Sequence, residues 1–273
     1  MEGLYLYCIR EKSDTLYSFS TKGIDEKHEV FIFPCQELEA VVSEVSLKEF
    51  TSEEIQRKSR EDIIWVKEKA LLHEKIVEEA MKGNDKILSV IPMRFGIIFK
   101  GEAKLKEALA KDYSKIKESL NGIRGKQEWS IKVYLKDKEK FEEVIKERSE
   151  TIKEKEKEIS SLPEGMAFFM EEELKETISK ETKKELTGVV ETIFEDFKKQ
   201  ASASVKNRLL EKELTGRQDP MVLNTAYLIP EENLEEFKRE AQGKNQKIQA
   251  MGFYLECTGP WPAYNFASYQ NHD

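Results

Sequence analysis

The order of predicted elements in the second half of the chain constrains its fold most. Residues 128–135 alternate apolar and polar side chains, which is the period of a strand with one buried face. A charged segment follows that predicts a solvent-exposed helix, with a flexible spacer as its alternative. A helix to about residue 200 comes next, with Phe168 and Phe169 among its apolar positions, and then two neighbouring strands, the second after the turn-forming RQDP. A short helix from PEEN is expected to end at the glycine of AQGKNQ, and a last strand follows. The order strand, helix, strand, strand, helix, strand is that of a ferredoxin-like fold, with residues 136–160 as an insertion after the first strand.

The first half of the chain predicts a separate α+β domain. GLYLYCIR, HEVFIFPC and LEAVVSEV are rich in β-branched and aromatic residues and predict strands. A long amphipathic helix is predicted from an N-cap at Thr51 to a glycine stop at Gly83, with Ile63 on its apolar stripe. Residues 87–99 are extended, and a second helix covers 102–120. We therefore expect two α+β domains, 1–124 and 125–273, the second with the helical insertion and an aromatic C-terminal tail.

Charge and hydrophobicity limit the possible partners. Charged residues make up 36% of the chain, and the formal net charge is -8. No apolar run reaches the roughly 18 residues that a membrane span needs, and MEGLYLYCIR lacks the features of a signal peptide. We therefore expect a soluble cytoplasmic protein that does not bind membranes. A negative chain without a cluster of Lys and Arg also disfavours nucleic-acid binding, because phosphate contacts need a cationic face.

Patterns typical of catalysis or metal binding are not found in the sequence. The cysteines, Cys8, Cys35 and Cys257, lie far apart in apolar surroundings and predict buried thiols. His73 falls on the apolar stripe of the first long helix and predicts a buried, hydrogen-bonded histidine. With His28 and His272 elsewhere, no Cys/His spacing suits zinc, and no phosphate loop or nucleophile elbow is present. We predict no catalytic residue, no cofactor and no metal.

Three charged residues lie in otherwise apolar stretches. Arg94 is part of PMRFG, and Glu128 and Lys132 belong to KQEWSIKV. Charged groups among apolar neighbours require partners if they are buried. We predict that these residues pair structurally, while an active-site role stays open as an alternative.

Several short segments form one pattern along the chain: LYLYCI, AVVSEV, HE at 73–74, IPMRFGIIF, GKQEWSIKV, LNTAYLI and TGPWPAYNF. In order and spacing they resemble the gas vesicle protein F/L family (GvpF/GvpL) over almost the whole chain. PMRFG, EW-x-x-KV and GPWP-x-Y-x-F are specific in combination, and the match is weakest at 136–160 and after Phe266. The motif residues, expected to be structural or interdomain, are Pro92, Arg94, Phe95, Gly96, Glu128, Trp129, Gly259, Pro260, Trp261, Pro262, Tyr264 and Phe266.

The resemblance implies a non-enzymatic accessory protein of gas vesicle assembly. It implies contacts with the main shell protein, GvpA, and with other accessory proteins, and an association with gas vesicles. It also implies two α+β domains, the second a modified ferredoxin-like fold. The family supplies no catalytic residues to transfer to this chain.

The tail has two interpretations. Pro260 and Pro262 fix their own φ angles and keep their preceding residues extended, so the tail predicts a stiff arm. We expect its aromatic residues to fill a groove of the protein itself, and a docking surface for the shell protein is the alternative. Two further functions stay open: a nucleic-acid-binding module that stacks bases on its sheet, and an enzyme that uses Arg94 or His73 in an interdomain cleft.

Overall fold

The computed structural model describes residues 2–13, 18–83 and 86–267 of the 273-residue chain. It combines helices with two antiparallel sheets, which confirms the predicted α+β class. The chain forms two compact units. The first contains residues 1–128 together with the segment from residue 260 onward, and the second contains residues 129–259. The predicted boundary between residues 124 and 125 stays a prediction.

The first unit is built on a five-stranded sheet. Its strands are β1 (Glu2–Glu11), β2 (Val30–Cys35), β3 (Leu38–Ser46), β4 (Val90–Pro92) and β5 (Ile98–Phe99). Their order is β2-β3-β1-β4, and β5 also pairs with β1. The strand β1 is buried over almost its whole length, because it has neighbours on both edges and contacts helices. The three predicted strands in this half are confirmed.

Four helices accompany this sheet: α1 (Ser52–Glu61), α2 (Ile63–Ala80), α3 (Glu102–Lys111) and α4 (Tyr113–Ile123). The N-cap at Thr51 is confirmed, since its hydroxyl accepts the Glu54 N–H at 3.0 Å. The single long helix predicted after it is wrong. Asp62 ends α1 and begins α2, because its carboxylate accepts the Trp65 N–H at 3.0 Å and caps a new helix. The second predicted helix is likewise divided, at Asp112.

The second unit has the predicted ferredoxin-like order. Its strands are β6 (Lys126–Leu135), β7 (Ala203–Lys206), β8 (Met221–Pro230) and β9 (Phe253–Trp261), and their order in the sheet is β7-β8-β6-β9. Its helices are α5 (Lys138–Arg148), α6 (Glu150–Ile159), α7 (Glu164–Lys198), the short α8 (Lys212–Thr215) and α9 (Leu234–Gln249), with a 3₁₀ turn at Glu231–Asn233. Gly259 and Pro260 lie near the end of β9, and β9 is an edge strand, the kind of strand in which proline is tolerated.

The charged segment after β6 is helical, but it does not lie wholly in solvent. Phe141 and Ile145 of α5 and Ile152 of α6 are buried in the core of the second unit, where Phe141 packs against Phe253 with ring centroids 4.8 Å apart. Three apolar positions therefore attach α5 and α6 to α7 and the sheet. A second difference concerns α9, which continues through Gly243 to Gln249 instead of ending at that glycine.

Candidate functional site

His73 is the centre of a buried hydrogen-bond chain in the first unit. Its Nε2 lies 3.1 Å from the Met93 carbonyl oxygen, which only accepts, so Nε2 carries the proton of the neutral ring. Nδ1 accepts the Tyr5 hydroxyl at 2.9 Å, and the Tyr5 oxygen accepts the Gly96 N–H at 2.9 Å. Burial lowers the pKa of His73 to about 4. The predicted buried histidine is confirmed, and both its ring nitrogens are engaged inside the unit.

The PMRFG motif forms the end of β4 and the turn toward β5. Pro92 and Met93 are buried, and Phe95 is half-buried with its ring centroid 6.2 Å from that of His73. Gly96 has a φ of 91°, a conformation that favours glycine, and this places its N–H on the tyrosine hydroxyl described above. Arg94 is not one of the buried charged groups that the sequence allowed. The turn buries Met93 and half-buries Phe95, but it leaves Arg94 between them exposed.

Glu128 is buried and paired, as predicted. Its residue surface is 3% exposed. One carboxylate oxygen accepts the Asn265 backbone N–H at 3.0 Å, and the other accepts the Asn265 side-chain amide at 2.6 Å. Burial raises the pKa of Glu128 to about 7, and the nearby Glu74 carboxylate contributes to the rise. The other predicted charged residue of this strand, Lys132, is half-buried.

A second carboxyl group lies under the tail. The Tyr264 hydroxyl donates to Glu74 Oε2 at 2.8 Å, although the Tyr264 residue is 39% exposed. Burial raises the pKa of Glu74, and burial together with the Glu74 carboxylate raises the pKa of Tyr264. We call Glu74 and Glu128 the acid pair. Two consecutive tail residues, Tyr264 and Asn265, therefore donate to two carboxyl groups whose pKa values are raised.

The rest of the tail packs within the first unit. Pro262, Ala263 and Ala267 are buried, and Trp261 and Phe266 are half-buried. The Ala267 N–H donates to the Ala263 carbonyl at 2.8 Å and closes a turn. The geometry gives the tail an anchoring role, since it combines buried small residues with two polar contacts to the acid pair. Sequence reasoning did not single out Asn265, because its partner is 137 residues away in the chain.

Ile63, Ile64 and Leu71 form an exposed apolar surface on α2, which we call the α2 patch. Their residue surfaces are 72%, 68% and 62% exposed. Ile64 and Leu71 are two helical turns apart and so lie on one face. The predicted burial of Ile63 is wrong, because the new helix that begins after Asp62 turns its first residues outward.

A second exposed surface lies in the first turns of α7, where α6 and α7 join as a helical hairpin. It consists of Met166, Phe168 and Phe169, and we call it the hairpin tip. Their residue surfaces are 60%, 61% and 75% exposed, and the two phenylalanine rings meet edge to face with centroids 5.9 Å apart. The sequence assigned both phenylalanines to the apolar positions of a helix, and their exposure is a correction. Helical periodicity does not reveal which turns have a neighbour to pack against.

One cavity of about 280 Å³ lies beside α9 in the second unit. Two of its polar groups have partners: the Lys238 Nζ lies 3.0 Å from a Glu235 carboxylate oxygen, and the Asn245 Oδ1 accepts the Leu255 N–H at 2.9 Å. Burial raises the pKa of the lining Cys257 thiol to about 11, so the reactive thiolate is disfavoured. These groups do not form an arrangement for catalysis.

Metal binding and membrane insertion are two further possible properties of the chain. Over residues 2–13, 18–83 and 86–267, no group of three or more His, Cys, Asp and Glu side chains is positioned to hold a metal ion. Within the same ranges, no helix combines the length and the apolar character required to cross a membrane. His272 lies outside the described residues. The predicted burial of thiols is confirmed for Cys8 and Cys35, whereas Cys257 is half-buried.

Comparison with known proteins gives one consistent result. Residues 3–268 match the model of a family described as gas vesicle synthesis protein GvpL/GvpF. The chain is 25% identical to gas vesicle protein L1 of Halobacterium salinarum, over 97% of this chain and 90% of that protein. It is 24% identical to gas vesicle protein F of a Nostoc species, over 64% of this chain and 68% of that protein. The crystal structure of GvpF from an Anabaena species has a similar fold, with a TM-score of 0.73 and 18% identity over 99% of this chain and 100% of that one.

Proposed function

The chain belongs to the GvpL/GvpF family of gas vesicle synthesis proteins and takes part in gas vesicle formation, and we propose that it does so as a non-catalytic accessory protein that binds the shell protein GvpA. Other accessory proteins of the vesicle are further partners in this proposal. The protein acts in the cytoplasm, at the vesicles that are being formed.

The α2 patch is the observation that carries this proposal. Its three aliphatic side chains are each more than 60% exposed, on a chain in which 36% of the residues are charged. Large apolar side chains that share a surface mark a site of interaction, because their exposure to water is unfavourable. A hydrophobic shell polypeptide supplies apolar side chains to cover them, while the charged helices keep the complex in solution.

The patch is next to the anchored tail. Glu74, which holds the Tyr264 hydroxyl, lies one helical turn after Leu71 on α2. An anchored tail therefore holds an exposed aromatic ring close to the aliphatic patch. This arrangement supports a role for the tail in shaping the surface, in addition to its packing within the unit.

Retention of purified GvpA on the immobilised protein tests the proposal. We expect the wild-type protein to retain GvpA, and the I63S/I64S/L71S variant to retain at least about tenfold less, since each buried aliphatic side chain contributes about 1.5–3 kcal/mol. The F168S/F169S variant, which removes apolar area elsewhere, is the matched control and should retain GvpA normally. Failure of the wild-type protein to retain GvpA, together with normal vesicles after deletion of the protein, would overturn the proposal.

The two alternative functions have less support in the geometry. Both ring nitrogens of His73 are engaged internally, and Arg94 is exposed, so neither offers the enzyme site that the sequence left open. A nucleic-acid module would need a cationic surface, and the chain carries a net charge of -8. Salt-dependent binding of single-stranded RNA by the purified protein would favour that alternative.

A further inference from the structure

The hairpin tip lies just beyond the core of its own unit. The helix α7 spans Glu164–Lys198, and its residue Leu174 is half-buried and packs against that core. Leu174 follows Phe169 by five positions, which is about 7 Å along the helix at about 1.5 Å per residue. Phe168 and Phe169 are nevertheless 61% and 75% exposed, so neither the core nor α6, which also packs against α7, covers them.

The surroundings of the tip are acidic. Between Lys157 and Lys175 the sequence contains five acidic residues and neither lysine nor arginine. Among the described side chains of this stretch, Glu173 lies 2.7 Å from the Lys155 Nζ and Glu172 lies 2.6 Å from the Lys175 Nζ. An apolar surface with an acidic border attracts a partner with basic residues around an apolar face, and it is repelled by anionic lipid headgroups.

The backbone at the tip favours a helical partner over a strand. The N–H groups of Met166 and Ala167 donate to the Pro163 carbonyl at 2.9 and 3.0 Å, and the following residues are within the helix. A strand recognises its partner through unpaired backbone groups, and a helix offers very few of them. Recognition at the tip must therefore use side chains, as when an apolar helix face packs against aromatic residues.

We propose that the hairpin tip docks an amphipathic helix with a Lys/Arg-rich border, carried by another protein of gas vesicle assembly. This inference rests on the proposed function, but it assigns a second partner to a second surface, distinct from the α2 patch. The two phenylalanines enter between apolar side chains of the partner helix, and the acidic residues around the tip meet its basic border.

A labelled Leu/Lys amphipathic peptide is the first probe, and a Leu/Glu peptide of the same pattern is its charge control. We expect fluorescence anisotropy to show binding of the Leu/Lys peptide, and F168S/F169S to weaken it by at least about tenfold. The I63S/I64S variant, which removes two aliphatic side chains from the α2 patch, should change the Kd by less than about twofold. Circular dichroism of each variant establishes that its helices remain formed.

Equal binding by the two double variants, or equal binding of the Leu/Glu peptide, would overturn the inference. Retention of GvpA by the same preparations separates the two proposals. If F168S/F169S loses peptide binding but retains GvpA normally, the result supports both the docking of a helix at the hairpin tip and the binding of GvpA elsewhere. A wild-type protein that binds the peptide through the tip but retains no GvpA would contradict shell-protein binding alone.

Crosslinking inside vesicle-forming cells identifies the natural partner. A photoreactive phenylalanine analogue at position 169 should crosslink to a Lys/Arg-rich helical segment of another vesicle assembly protein. The same analogue at position 64 provides the comparison and should not give that product. A crosslink from position 169 to GvpA, or to an acidic segment, would refute the assignment of the tip.

Discussion

Replacing Asn265 by alanine should loosen the C-terminal tail much more at pH 8 than at pH 5. The Asn265 side-chain amide donates to Glu128 at 2.6 Å, and the pKa of Glu128 is about 7. In the wild-type protein this amide therefore donates to a carboxylate at pH 8 and to a neutral carboxyl group at pH 5, and the variant loses the bond in both cases. The backbone N–H of residue 265 remains to bind Glu128 in both cases.

The magnitude follows from the charge of the acceptor. A hydrogen bond to a charged group contributes about 1.5–3 kcal/mol, and a neutral one about 0.5–1.5 kcal/mol. The variant should thus lose about 1–1.5 kcal/mol more at pH 8, which also corresponds to a further rise of the Glu128 pKa by about one unit.

In the wild-type protein, the contribution of Glu128 to folding stability falls as the pH rises, which is opposite to the behaviour of most carboxyl groups. The folded pKa of Glu128, about 7, is above the value of 4.5 for an unperturbed glutamate, so the folded state keeps a proton that the unfolded chain has released. The stabilising contribution of Glu128 is complete below pH 4.5 and is lost as the pH rises to 7, by about 3 kcal/mol. The Glu128→Gln variant should remove this dependence.

Amide hydrogen exchange of the tail measures the effect directly. The N–H groups of residues 264–267 are all hydrogen-bonded, and their protection factors report opening of the tail. Asn265→Ala should lower protection about tenfold more at pH 8 than at pH 5, and Asn121→Ala, on the exposed side of α4, should leave it unchanged. In the Glu128→Gln background the two pH values should give equal losses. An equal loss at both pH values in the protein with Glu128 intact would refute the reasoning.

Two other features give predictions of a different kind. In NMR titrations, the His73 ring should stay neutral down to about pH 4, whereas His28, hydrogen-bonded to an aspartate, should have a pKa above 6.5. Titration of both rings together near pH 6.5 would contradict the burial of His73. Gly252→Ala should destabilise the second unit by more than about 2 kcal/mol in urea unfolding, because its φ is 85° and an added Cβ would lie 2.3 Å from the Asp137 carbonyl oxygen. Gly122→Ala, where a Cβ meets open space, should change stability by less than about 1 kcal/mol, and similar unfolding midpoints for the two variants would show that the close approach is not restrictive.

The strand order of the second unit was predictable because alternation and turn residues are local signals. Burial alternates over residues 129–133, as the apolar pattern predicted, although Glu128 and Tyr134 on the other face are buried as well. The turn-forming RQDP precedes β8, which pairs antiparallel with β7. Helix boundaries were less predictable. The sequence around Asp62 did not indicate that this residue would end one helix and cap the next. In α9, Gly243 costs about 1 kcal/mol of helix stability, and the burial of Phe237, Ala241 and Ile248 offsets this cost.

The candidate site was predictable as a set of residues and not as a set of contacts. The motifs contain His73, Glu74, Glu128 and Tyr264, but the sequence does not state that Tyr264 reaches Glu74 across 190 positions. Nor does apolar periodicity distinguish a phenylalanine that packs in a core from Phe169, whose residue surface is 75% exposed. Both kinds of information depend on long-range packing, which only the folded chain defines.

The position of the tail sets an order of events during translation. Residues 260–267 complete the first unit, yet the ribosome adds them only after the whole second unit has been synthesised. Until then the acid pair lacks both of its tail donors, and the nascent N-terminal part cannot reach its final form. The last contacts of the first unit therefore form only after the second unit has been synthesised, and a chain interrupted before residue 260 would lack the donors to Glu74 and Glu128.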